Sequence, residues 1–147
     1  MNVDEINELF RTYHNNHRNM MDKKFRETGL YFGQPPILKY LSMHDNATQQ
    51  EIADFLGVTK STVAVSVKRM EETGLIMRVV DKDDARRNNL QLTQKGKELQ
   101  AYADDYFRKA DLATFDGFNE QELIILGRFL KRMNENIVNF AKEENDA

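Results

Sequence analysis

The chain has 147 residues, of which 40% are hydrophobic and 31% charged, and it contains no cysteine. This balance argues against a disordered chain and leaves no apolar run long enough to span a bilayer, so we expect no membrane association. The lack of cysteine excludes disulfides, thiolate nucleophiles and Cys-ligated zinc, and it favours a reducing cytoplasm. The N-terminal segment MNVDEINELFRTY carries acids and no basic region, which argues against a secretory signal.

The net charge of -3 is unevenly distributed along the chain. Residues 58–97 carry 9 Lys/Arg against 5 Asp/Glu, a net charge of +4, whereas residues 1–57 carry -2 and residues 98–147 carry -5. A concentrated positive charge predicts a surface that meets a polyanion, and acidic ends would repel phosphate and help to orient the protein.

The first two predicted elements are helices. Apolar and aromatic residues at three- and four-residue steps predict a long amphipathic helix that ends near Thr28 and Gly29. They are Val3, Ile6, Phe10, Tyr13, His17, Met20 and Met21. Pro35 and Pro36 then open a second helix, because proline is tolerated in a first turn, where its missing N–H has no partner.

Two short helices separated by a tight turn come next. Thr48 and Glu51 form a T-x-x-E capping box, and Gly57 is placed for the left-handed turn. Thr59 can cap the second helix, which Gly74 ends. Their spacing lets a set of apolar residues pack the two helices across each other: Ile52, Ala53, Leu56, Val58, Val63, Val67 and Met70. This pattern predicts a helix-turn-helix, although similar helix pairs also occur in proteins that never touch DNA.

A charged hairpin follows the helix-turn-helix. Two runs with strand character, residues 77–80 and 90–92, flank a polar tip that contains Asp83, Asp84, Arg86, Arg87, Asn88 and Asn89. Such a tip predicts a hairpin that projects into solvent. A helix-turn-helix followed by a basic hairpin is a winged helix, and its usual ligand is double-stranded DNA.

Helices are also predicted at the C-terminal end. Thr93 can cap a helix that runs to about Phe115, and Asn119 with Glu122 can start another after the break at residues 116–117. We therefore predict a mainly α fold with a small β-hairpin wing, a winged helix-turn-helix within a helical dimerisation frame. Residues 1–34 and 98–147 would form the helical dimerisation region and residues 35–97 the DNA-binding domain. Apolar stripes on both terminal helices predict an intertwined homodimer.

The outward face of the second helix of the helix-turn-helix suits a major groove. Its residues are Lys60, Ser61, Thr62, Val65, Ser66 and Arg69. Small hydroxyls approach bases closely, Val65 can meet a thymine methyl, and Lys60 and Arg69 can reach phosphate or guanine. In the wing, Asp84 can hold the guanidinium of Arg86 extended for a narrow minor groove, with Arg87 beside it. Such D-x-R pairs are also common on ordinary surfaces.

The chain resembles the MarR family of winged helix-turn-helix bacterial transcriptional regulators. The matching residues are MEETGLI at residues 70–76, the D-x-R of Asp84 and Arg86, and L-x-L-T-x-x-G at residues 90–96. The resemblance implies a homodimer on a pseudo-palindromic operator, with recognition helices in successive major grooves and wings in flanking minor grooves. It also implies a transcriptional regulator, expected to be a repressor, that a small-molecule effector releases from DNA.

The same resemblance implies an effector pocket for a ligand such as a small aromatic acid. Its candidate residues are Tyr13, His17, Met21 and Tyr40, although methionines and aromatics at helical spacing are also typical of a core. His14 and His17, with His44, Asp22 and Glu27, could suggest a metal site. We expect polar interface or pocket residues instead, and neither metal nor cofactor.

Two other classes of function are alternatives to a DNA-binding regulator. An enzyme is not indicated, because the sequence has no Gly-rich phosphate loop, no cysteine and no visible nucleophile–base pairing. The alternative to a DNA-binding regulator is an antirepressor that uses its winged helix to bind a protein. Steep salt dependence of binding would favour DNA, and salt-insensitive association with a protein would favour the alternative.

Overall fold

The computed structural model describes residues 1–31, 33–80 and 88–146. Within them, the helices are α1 (Val3–Arg26), α2 (Gln34–Met43), α3 (Gln49–Leu56), α4 (Lys60–Glu72), α5 (Gln94–Thr114) and α6 (Glu120–Asp146). The strands β1 (Ile76–Val80) and β2 (Asn88–Leu92) form an antiparallel hairpin. The predicted fold class, mainly helical with a small hairpin after a helix-turn-helix, is confirmed. None of the helices in these ranges is long and apolar enough to cross a membrane.

The chain divides into two compact units, residues Met1–Phe107 and Arg108–Ala147. The first contains α1 to α4, the hairpin and most of α5, and the second contains the end of α5 and α6. This is a division by packing. The predicted division into dimerisation and DNA-binding regions is one of function, and it stays a prediction.

Local capping signals begin the helices where the sequence predicts. In α3 the Glu51 carboxylate accepts from the Thr48 N–H at 2.6 Å, and the Thr48 hydroxyl accepts from the Glu51 N–H at 3.2 Å. Asn119 and Glu122 form the same reciprocal pair at α6. Each box satisfies two backbone donors that have no partner within the helix. Gly57 ends α3 in the left-handed region at φ +65°.

The core of the first unit lies between α2, α3, α4 and the hairpin. Its most buried side chains are Leu30, Ile37, Leu38, Ile52, Val63, Val67, Met70, Leu75 and Leu90. Helix α1 contributes Met21 and Phe25, and the Phe25 ring lies 5.3 Å from that of Phe107 in α5. One expected core residue is exposed: Val58, which follows the turn at Gly57, is 43% accessible because the chain has already left α3 there.

Ion pairs and hydrogen bonds also link the helices of the first unit. Lys39 in α2 lies 2.7 Å from the Asp104 carboxylate in α5. Lys24 in α1 donates to the Glu27 carboxylate at 3.3 Å and lies beside the Tyr102 side chain, and these two neighbours, Tyr102 foremost, raise the pKa of the Lys24 ammonium above its ordinary value. These exposed contacts orient α1, α2 and α5, whereas the buried apolar residues provide most of the stability.

The hairpin is longer than predicted. Pairing runs from Ile76 opposite Leu92 to Val80 opposite Asn88, so Asn88 and Asn89 belong to a strand and not to the tip. Asparagine usually favours turns, but here Asn89 is buried in the paired strand, so its tertiary setting overrides its propensity. The Leu90 N–H also donates to the Ala47 carbonyl at 2.8 Å, which ties β2 to the segment before α3.

The junction between the hairpin and α5 explains the motif L-x-L-T-x-x-G. Leu90 and Leu92 are buried in the core. The Thr93 hydroxyl donates to the Gly74 carbonyl at 2.6 Å and accepts from the Gly96 N–H at 3.0 Å, so it both joins two segments and caps α5. A Cβ atom on Gly96 would lie 2.0 Å from the Leu75 carbonyl oxygen. Glycine is therefore required by the close approach of α5 to the start of β1.

The second unit presents a largely apolar helix surface. Along α6, Phe129, Ile137 and Phe140 are 50%, 60% and 58% exposed. Further exposed apolar residues of this helix are Leu123, Ile124, Ile125, Leu130, Met133 and Val138. An exposed apolar surface of this extent is typical of an interaction site rather than of a solvated helix.

Candidate nucleic-acid interface

The outward surface of α4 is created by the packing of its other side against α3. Val63, Val67 and Met70 are buried, and they fix which face of α4 points away from the core. Five of the predicted residues are exposed: Lys60, Ser61, Thr62, Val65 and Arg69. Ser66 differs from the prediction, since it is half-buried at the border of the packed face.

Three of the exposed residues form one row along α4. Ser61, Val65 and Arg69 are spaced by four, and residues at this spacing are neighbours on a helix surface. Val65 is 70% exposed, so it contributes little to packing within the chain. This row offers a hydroxyl, a methyl pair and a guanidinium along one line.

The start of α4 is held rigidly. The Thr59 hydroxyl accepts from the Thr62 N–H at 3.2 Å and lies 2.9 Å from the Thr62 hydroxyl. The first turn is therefore ordered by its cap, which keeps Lys60, Ser61 and Thr62 at defined positions.

Two cationic features of this surface were not predicted. Lys68 is exposed beside Val65 and Arg69, and the helical period of α4 was the signal that could have found it. The guanidinium of Arg69 lies 4.4 Å from the centroid of the Tyr31 ring, which belongs to the connection between α1 and α2. Nothing in the local sequence around Tyr31 indicates this contact.

The end of α4 is tied to the hairpin by a bidentate ion pair. Arg78 in β1 donates to both carboxylate oxygens of Glu71, at 2.6 and 3.0 Å. The pair neutralises an acid on α4 and fixes the base of the wing against that helix. The predicted wing residues Asp84, Arg86 and Arg87 lie outside the described residues, and their roles stay predictions.

The four candidate effector residues are only partly brought together. His17 and Met21 line a cleft of about 200 Å³ in the first unit, and Tyr13 lies beside His17 with the two rings 5.9 Å apart. Tyr40 lies elsewhere, stacked on His44 at 4.2 Å and near Phe55. The remaining residues of the cleft are His14, Arg18, Asp22, Phe25, Gly33, Pro35, Pro36 and Phe107.

The histidines do not form a cluster with metal-site geometry. In the described part of the chain, no three His, Cys, Asp or Glu side chains are grouped so that they could hold an ion. His14, His17 and Asp22 border the cleft, whereas His44 is stacked on Tyr40 with its Nδ1 3.1 Å from the Tyr40 carbonyl oxygen.

Comparison with known proteins finds a family match over the helix-turn-helix and the hairpin. The MarR family model matches residues 28–87. The HTH-type transcriptional regulator YybA of Bacillus subtilis is 24% identical over 114 residues, which cover 78% of this chain and 76% of YybA. The structure of the MepR–DNA complex of S. aureus is 28% identical, covers 88% of this chain and 94% of its own, and superposes with a TM-score of 0.74.

A further solved structure agrees in fold. Streptococcus pneumoniae FabT in complex with DNA has a TM-score of 0.84 and covers 95% of this chain and 99% of its own. At 22% identity, that likeness shows the fold alone. Together with the hairpin motif, the capped helix-turn-helix and the family match, these findings lead to one conclusion. Residues 28–87 of the chain match the MarR family model, and the chain has the winged helix-turn-helix fold of solved MarR-family transcription regulators.

Proposed function

We propose that this protein is a sequence-specific regulator of transcription that binds double-stranded DNA through α4 and the wing. The observation that carries the proposal is the exposed row of Ser61, Val65 and Arg69 on a helix whose opposite face is locked into the core. An exposed valine between a hydroxyl and a guanidinium has no structural use in solvent. The same set suits the edge of a base pair and its phosphate. The DNA complex of MepR, which is similar to this chain, supports this assignment.

The contacts divide by chemistry. Ser61, Thr62 and the half-buried Ser66 offer hydroxyls to base edges, and Val65 offers methyl groups to thymine. Lys60, Lys68 and Arg69 supply cations for phosphate or guanine. In the wing, Arg86 and Arg87 enter the minor groove, and Asp84 orients Arg86. These assignments distinguish groups that read sequence from groups that position the helix.

The apolar surfaces of the terminal helices support a homodimer. On α6, Leu123, Leu130 and Ile137 are exposed at a seven-residue spacing, and on α1, Val3 and Leu9 are 72% and 57% exposed. A second copy of the chain would cover such faces by twofold symmetry. Residues 1–34 and 98–147 then form the dimerisation region, and residues 35–97 bind DNA. Two recognition helices would read the halves of a pseudo-palindromic operator.

The cleft in the first unit is the proposed effector site, and the proposed role is that of a repressor which a ligand bound there releases from DNA. Phe25, Phe107 and Met21 provide an apolar lining, and Arg18 and His17 stand at the same cleft. This combination suits a small aromatic acid. Its volume of about 200 Å³ favours a ligand smaller than a typical drug molecule.

The substitution Val65→Glu tests the assignment of α4. A carboxylate at this exposed position would face phosphates, so binding to a duplex selected from a random-sequence pool should fall by roughly 10- to 100-fold or more. Helical circular dichroism and the melting temperature should stay unchanged, because Val65 is 70% exposed. Val65→Thr keeps the shape and one methyl group, and it serves as the matched control.

Fluorescence anisotropy across a salt series provides the measurement. Wild-type affinity should fall steeply with salt, as expected for phosphate contacts. If the Val65→Glu variant bound DNA with native affinity, α4 would not be the helix that lies in the major groove. If the wild-type protein bound no duplex and instead joined a protein partner independently of salt, the antirepressor function would replace the proposed one.

A further inference from the structure

The contact between Tyr31 and Arg69 joins two distant segments of the first unit. Tyr31 lies between α1 and α2, and Arg69 lies in the last turn of α4. The guanidinium carbon of Arg69 is 4.4 Å from the ring centroid, well within the range of about 6 Å for a cation–π interaction. The Tyr31 residue is 48% exposed, so the contact lies at the surface.

The backbone of Tyr31 is fixed although its ring is exposed. Its N–H donates to the side-chain oxygen of Gln34 at 3.1 Å, and its carbonyl accepts from the Gln34 N–H at 3.1 Å. Gln34 is 2% exposed, and the preceding Leu30 is fully buried. The ring therefore projects from a rigid base rather than from a loosely held loop.

Arg69 is the member of the α4 row that most needs such a support. An arginine side chain has many rotamers, and among the described residues no carboxylate lies within ion-pair distance of this guanidinium. The contact with the Tyr31 ring engages the positive charge of the guanidinium, whose central carbon lies 4.4 Å from the ring centroid. The N–H donors of a guanidinium lie in its plane, and phosphate or guanine can accept those on the side away from the ring.

We propose that Tyr31 is a positioning residue that holds Arg69 in the rotamer that contacts DNA. The inference rests on the proposed function of α4. Tyr31 acts through Arg69 and makes no DNA contact of its own. Removing the ring leaves the charge of Arg69 in place but adds the cost of ordering its side chain on binding, which corresponds to an affinity loss of roughly 2- to 10-fold.

A double-mutant cycle measures this coupling. The variants are Tyr31→Leu, which removes the ring, Tyr31→Phe, which keeps it, Arg69→Ala, and the combination of Tyr31→Leu with Arg69→Ala. The probe is a labelled duplex that the wild-type protein selects from a random-sequence pool, titrated over a range of salt concentrations. Tyr31→Phe should bind within about twofold of wild type, since the ring face remains.

Tyr31→Leu should weaken binding in the wild-type background and have no effect in the Arg69→Ala background. It should also keep the wild-type salt slope, whereas Arg69→Ala should lower the slope by about one for each lost phosphate contact. A residue that merely stabilised the fold would weaken both backgrounds equally, and thermal melting of each variant checks this directly.

The outcomes separate the inference from the function on which it rests. No salt-dependent duplex binding by the wild-type protein would refute the proposed function. Duplex binding with a loss on Tyr31→Leu that persists without Arg69 would show that Tyr31 contacts DNA itself, and it would overturn the positioning role. Unchanged or tighter binding by Tyr31→Leu, or native binding by Arg69→Ala, would overturn it as well.

Discussion

Replacing Gly96 by alanine should destabilise the protein, although alanine is the better helix former. Gly96 lies in the first turn of α5, where an added Cβ would stand 2.0 Å from the Leu75 carbonyl oxygen and 3.0 Å from its carbon. The neighbour is backbone at the start of the hairpin and cannot rotate away. The helix or the hairpin must therefore move, and this strains the hydrogen bonds of Thr93.

Two opposing effects set the size of the stability loss in Gly96→Ala. Alanine gains about 1 kcal/mol of helix propensity over glycine. Overpacking typically costs about 1–3 kcal/mol, and contact with backbone favours the upper end. The net loss is then about 2 kcal/mol, or a melting temperature lower by about 4–8 °C for a chain of this size.

Thermal melting followed by circular dichroism at one fixed protein concentration tests this prediction. Lys97→Ala is the matched control, because Lys97 follows Gly96 in α5 and its side chain is exposed. It should leave the stability almost unchanged. If Gly96→Ala were as stable as wild type, the close approach of α5 to β1 would not constrain this position.

Three other predictions concern the cap, the dimer and the wing. Thr48→Ala removes the acceptor for the Glu51 N–H and should lower the free energy of unfolding by about 1 kcal/mol in thermal melts, whereas Thr48→Ser should be close to neutral. Ile137→Glu places a charge on the exposed apolar face of α6 and should convert a dimer to monomer or aggregate in sedimentation velocity; an unchanged dimer would place the interface elsewhere. Arg86→Ala should reduce the salt slope of DNA binding by about one, with little change in melting temperature. If this variant bound DNA like wild type, the wing would not contact DNA.

Much of the fold could be predicted from sequence because its signals are local. The capping boxes of Thr48 with Glu51 and of Asn119 with Glu122 need only residues three apart, and the structure contains both. Gly57 has the left-handed conformation predicted for the turn. The buried side of α4 follows from helical period, which is why five of its six predicted site residues are exposed.

The tertiary structure decided what depends on the approach of distant segments. It places Tyr40 against His44 and Phe55, away from the cleft that His17 and Met21 line, because α2 turns that side toward α3. It half-buries Ser66, since the packed face of α4 is wider than its three core residues suggested. The spacing of Tyr40 and Ser66 along their helices is compatible with either an exposed or a packed side chain. The sequence pattern therefore could not predict the surroundings of these two residues.

The sequence by itself determined the helix boundaries, the winged helix-turn-helix and the resemblance to the MarR family, because capping hydrogen bonds join near neighbours and the hydrophobic period depends on residue spacing. Only the tertiary structure revealed that Tyr31 supports Arg69 and that Gly96 meets Leu75. Those contacts depend on where α1, α4, α5 and the hairpin pack, and packing is set by the shape of the whole core rather than by any short stretch of chain.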